Sequence, residues 1–126
     1  MSNKQDRSGP NGGALMTEHD FRALALSLPG SEESSHMGHP DFRVGGKIFA
    51  TLGHRKGAAV VMLSPELQEA FVNARPQAFA PINGSWGLKG ATNVVLKECT
   101  KGAARDALVA AWKRRAPKKL LTELGF

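Results

Sequence analysis

His36 and His39 stand three residues apart in the stretch HMGHPDFRVGGKIFATLG, a spacing that invites a metal. Imidazole nitrogens bind zinc readily, but a structural zinc site needs four ligands from paired cysteines or a tight Cys/His cluster. The chain has one cysteine, Cys99, and its other histidines, His19 and His54, lie apart from the pair. The spacing therefore predicts no metal and no other cofactor. His39-Pro40 reads instead as a turn leading into a strand, its imidazole hydrogen-bonded to backbone or to a neighbouring side chain.

The glycines suggest phosphate chemistry next. Gly45-Gly46-Lys47 resembles part of a phosphate-binding loop, but that loop runs G-x-x-x-x-G-K-[ST] from a strand into a helix. Here a strand pattern follows, and Ile48 occupies the Ser/Thr position. The run NGSWGLKG, residues 83–90, has glycines without a dinucleotide fingerprint. Cys99 lies between Lys97 and Lys101, which could lower its pKa, yet no histidine adjoins it. Ser34, Ser35 and Ser85 lack the G-x-S-x-G elbow of a hydrolase. No nucleophile is assembled along the sequence, and we expect a non-catalytic protein.

The cations remain. Net charge is +6, divided unevenly: residues 1–42 carry three basic and six acidic side chains, and residues 43–126 carry fourteen and five. Such a balance favours a polyanionic partner, because Lys and Arg release the counterions condensed on phosphates. Arg43 and Lys47 flank the Gly-Gly turn, Lys89 and Trp86 share one loop, and Arg114, Arg115, Lys118 and Lys119 crowd the C-terminal part. These eight residues are the candidate nucleic-acid contacts. An exposed Trp86 could stack on a base; a buried one would cap the core.

The positioning elements follow from periodicity. Residues 1–15, rich in Gly, Ser and Asn, read as a disordered tail, and 16–126 as one domain. Thr17 caps a helix whose Phe21, Leu24, Ala25 and Leu28 form one stripe, and Pro29-Gly30 ends it. SEESSHMGHP reads as a polar loop, with room for a short strand near His36. From Asp41 the period changes to two, with Phe42 and Val44 on one face and Arg43 on the other. Gly45-Gly46 makes a hairpin turn into Lys47–Leu52, which places Ile48, Ala50 and Leu52 opposite Phe49 and Thr51. Ala58–Leu63 is apolar throughout and reads as a buried strand.

Ser64-Pro65-Glu66 opens a second helix with Leu67, Ala70, Phe71 and Ala74 inward. A loop with a short strand near Phe79 precedes a strand over Thr92–Lys97. Thr100 caps a helix to Arg115 with Ala104, Ala107, Leu108, Ala111 and Trp112 inward, and a terminal turn follows Pro117. The result is an α+β fold of order α-β(3)-α-β(1-2)-α, a two-layer sandwich with helices on one face of an antiparallel sheet. No run approaches the roughly eighteen apolar residues of a membrane helix. The opening residues lack a secretory apolar stretch, and a lone cysteine fits a reducing compartment, so a cytoplasmic protein is expected.

Gly38-His39-Pro40, Phe42-Arg43-Val44, Gly46-Lys47-Ile48-Phe49-Ala50, Ser64-Pro65-Glu66, Trp86 and Ala116-Pro117-Lys118-Lys119-Leu120 together resemble the MmcQ/YjbR family of small bacterial proteins. The resemblance runs from Thr17 to Leu120. Met37 departs from it, standing where the family places a large aromatic. The resemblance implies an α/β fold with a curved antiparallel sheet, like double-wing DNA-binding modules and secretion chaperones. It carries over no catalytic residue. The expected function is nucleic-acid binding, chiefly DNA, through phosphate contacts. The alternative is a chaperone-like adaptor that meets a protein partner through its sheet face.

Overall fold

Thr17 begins the first helix by closing a reciprocal cap. Its hydroxyl accepts from Asp20 N at 3.0 Å, and its own N–H donates to Asp20 Oδ2 at 3.1 Å. The structure, a computed structural model, describes residues 16–126. The tail expected over residues 1–15 lies outside the described residues. Helix α1 (Glu18–Leu26) leads into four consecutive strands, β1 (Ser31–His36), β2 (His39–Val44), β3 (Lys47–Leu52) and β4 (Ala58–Met62). Then come α2 (Pro65–Ala74), β5 (Phe79–Pro81), the short α3 (Ser85–Leu88) and β6 (Ala91–Val95). One 3-10 turn, Leu96–Glu98, precedes α4 (Lys101–Arg115), and α5 (Lys118–Glu123) closes the chain.

The six strands form one antiparallel sheet in the order β1-β2-β3-β4-β6-β5. Phe21 and Ala25 of α1, with Ala104, Ala107, Leu108, Ala111 and Trp112 of α4, pack on one face against Phe42, Val44, Ala50, Leu52, Val61 and Val94. Leu67, Phe71 and Val72 of α2 lean on the same core. A second, small cluster on the opposite face joins Val60, Met62 and Ala91 to Ile48 and Ile82. The α+β sandwich and the apolar stripe of α4 are as expected. Burying the indole of Trp112 requires a partner for its N–H, which donates to Pro29 O at 2.9 Å.

The structure departs from sequence expectation at five places. SEESSH is a full strand rather than a loop, paired with β2 along its length although its side chains are mostly exposed. Its backbone ladder and polar contacts, not apolar burial, hold it there. In β3 the register shifts opposite Phe42/Arg43, and this irregularity interrupts strict alternation. Phe49 therefore joins Ala50 and Leu52 in the main core, and Ile48 goes to the other face. On α2, Ala70 and Ala74 are exposed and Val72 packs instead. The loop after β5 contains α3, and the final strand ends at Val95 in a 3-10 turn.

Gly90 is fixed by close approach. Its φ is +112°, and a Cβ there would lie 1.8 Å from Leu63 O, where β4 ends. Gly102, on exposed α4 surface, would meet nothing within 4 Å. Urea unfolding of Gly90→Ala should show a loss of about 2–3 kcal/mol. Gly102→Ala should gain about 0.5 kcal/mol from helix propensity. A Gly90→Ala protein as stable as the parent would contradict the β4–β6 packing described.

Candidate functional site

Alternation along β2 puts Phe42 and Val44 in the core and turns Asp41 and Arg43 to the face that α1 and α4 leave uncovered. Asp41 is nevertheless completely buried. A buried carboxylate is stable only with partners, and it has two. Arg43 Nε donates to Oδ1 at 2.8 Å, and Arg43 Nη2 donates to Oδ2 at 3.0 Å. His36 Nδ1 lies 2.8 Å from the same Oδ2. An ionised carboxylate only accepts, so His36 carries its proton on Nδ1. The hydrogen bond from Arg43 holds the Asp41 carboxyl below the usual aspartate range, and that from His36 adds to it, against the opposing effect of burial. The same contact raises the Arg43 pKa.

His36 and His39 come together as rings in edge contact, with centroids 6.4 Å apart. Among the described residues, no group of three His, Cys, Asp or Glu side chains is placed to hold a metal. Farther along this face His54 Nε2 donates to Asn93 Oδ1 at 3.2 Å, and burial lowers its pKa. Cys99 is buried, and desolvation pushes its thiol up to about 11, so its lysine neighbours in sequence do not activate it.

The remaining basic candidates gather at one end of the sheet. The Gly45-Gly46 turn seats against Pro117: a Cβ on Gly45 would lie 2.7 Å from Pro117 Cγ. This contact brings Lys47 to the same end as Lys118 and Lys119. Arg114 reaches that end too, donating from Nη1 to Met62 O at 3.0 Å. Burial lowers its pKa, as does the neighbouring Arg115. Arg115 Nε is buried without a hydrogen-bond partner among the described residues. By the β4–β6 register α3 also sits here, presenting Lys89 and a Trp86 that is 43% exposed. Lys47, Lys89, Lys118 and Lys119 are exposed. Arg43, one residue pair from the turn, has two of its donors spent on Asp41. Arg55 and Lys56 lie at the opposite end, lining a 280 Å³ cavity with Thr17, Glu18 and Lys97.

Sequence reasoning found Arg43 but not its partners. The signal was present: Asp41 and Arg43, two apart on a strand, must share a face. His36 was hidden because β1 looked like a loop.

Because the folded Asp41 pKa lies below the ordinary 3.8, the carboxylate stabilises the fold above that pH. The contribution disappears as pH falls through the folded value. Asp41→Asn should therefore melt about 5–10 °C below the parent at neutral pH. The gap should narrow on acidification below 3.8. Equal melting temperatures at pH 7 would deny the cluster a structural role.

Among the described residues no helix is long and apolar enough to cross a membrane. No curated protein matches the sequence. A crystal structure of a Deinococcus radiodurans protein with a DUF419 domain is similar, with a TM-score of 0.68 and 22% identity over 89% of this chain and 90% of that one. At that identity the likeness concerns the fold. A family model described as YjbR matches residues 26–114, which take in all six strands and most of α4. The chain belongs to the YjbR family.

Proposed function

We propose that the protein binds nucleic acid through its phosphate backbone, without catalysis, at the end of the sheet where the β2–β3 turn meets the C-terminal segment. The seating of Gly45 on Pro117 carries this reading, because it collects cations distant in sequence into one surface. Lys47, Lys89, Lys118 and Lys119 are the phosphate contacts, and the exposed ring of Trp86 supplies a stacking platform. Arg114 braces the surface through Met62 O. Arg43 contributes less than its sequence position implies, since Asp41 holds it.

A second reading, a protein-binding adaptor, draws support from Leu88. It is 80% exposed beside Trp86 and lines a 570 Å³ groove with Pro81 and Ile82.

Titration of a labelled duplex at several salt concentrations tests the first reading. Four phosphate contacts give a log–log salt slope of about 3–4 in magnitude. Lys118→Glu with Lys119→Glu should weaken binding at least about tenfold on every sequence. No binding at low salt, or binding indifferent to salt, overturns the nucleic-acid reading.

A further inference from the structure

We propose that Arg43 and His36, both fastened to Asp41, form a site for a phosphate monoester on the sheet face that α1 and α4 leave uncovered. The site uses none of the lysines of the basic end and stands whether or not that end binds nucleic acid. Its logic begins with how Arg43 uses its fork. The guanidinium has a side edge, Nε and Nη2, and an end edge, Nη1 and Nη2. Asp41 takes the side edge at 2.8 and 3.0 Å. The end edge, with two parallel N–H groups, has no partner among the described residues and belongs to a side chain 32% exposed. That edge is matched to a second oxyanion.

His36 completes the set. Its Nδ1 bonds the same Oδ2 that receives Arg43 Nη2. Two donors on one oxygen lie within about 5 Å of each other. The outward Nε2 of His36, on a ring whose side chain is 38% exposed, thus opens on the same face as the free edge of Arg43. With Nδ1 donating to Asp41, Nε2 accepts a hydrogen bond from a P–OH. Two oxygens of the ligand meet Arg43 and a third meets His36. A carboxylate has only two oxygens, whereas a phosphate monoester has three free ones.

Neighbours on this face refine the site. Ser34 stands across from Asp41 and His39 across from His36 in the β1–β2 register. Glu32 stands across from Arg43 and forms no ion pair with it among the described residues. Its charge opposes an incoming anion, so it limits affinity.

The test is an NMR titration at fixed pH and ionic strength, following the Arg43 Nε–H and the His36 ring nitrogens. The probes are inorganic phosphate, phenyl phosphate and acetate. Both phosphates should give saturable shifts at these two residues, with acetate at least about tenfold weaker. Arg43→Lys, which keeps charge but loses the fork, and His36→Gln should each weaken binding about tenfold. Glu32→Gln should tighten it and keeps the test open should either of those variants fold poorly. Lys118→Glu with Lys119→Glu should leave it unchanged, which separates this site from the duplex-binding end. Absence of saturable shifts, acetate binding as well as phosphate, or indifference to Arg43→Lys and His36→Gln overturns the proposal.

Discussion

A carboxylate sealed from water organises one whole flank of this molecule. Asp41 has no solvent exposure, and without Arg43 and His36 its burial would be prohibitive. Arg43 comes from its own strand, but His36 comes from β1, at the border of the sheet. That border strand has almost nothing apolar to bury. Its backbone ladder to β2 and the reach of His36 to Asp41 are what keep it in place, with Arg22 of α1 adding an ion pair to Glu33 at 2.9 Å. The polar cluster thus does for β1 what the main core does for β3 and β4.

The opposite flank is organised by packing. α4 lays an alanine-rich stripe on the sheet, so the helix approaches closely and only Trp112 and Leu108 project deeply. Close approach of small residues leaves little volume to fill, and Trp112 fills what there is while its N–H finds Pro29. The same helix then delivers Arg114 and Pro117 to the turn end of the sheet. The basic surface is therefore a by-product of where α4 must lie.

Much of the fold was legible in the sequence, because its signals are local. Thr17, Ser64 and Thr100 are caps in the structure as expected, and each accepts from the backbone of the first turn. Gly45-Gly46 turns the hairpin with φ of 60° and 81°. β1 was not legible, since a strand held by its backbone and by charges leaves no alternation of apolar residues. The inward turn of Phe49 was not legible either, because an irregularity in the ladder cannot be seen from one strand alone. The candidate lysines were readable as cations. Their convergence was not, as it depends on Gly45 meeting Pro117, a contact between residues far apart in the chain.

That contact has a temporal consequence. Gly45 seats on Pro117, Gly30 lies against Leu120, and Pro29 receives the Trp112 N–H. Each of these joins the first half of the chain to its last few turns. During synthesis the hairpins can pair early, but their turn end stays unsupported until the C-terminal residues have left the ribosome. That end of the sheet stays open until the segment around Pro117 emerges, and the polar border strand β1, with Glu32 and Glu33 exposed, presents charge rather than apolar surface to other chains in that interval.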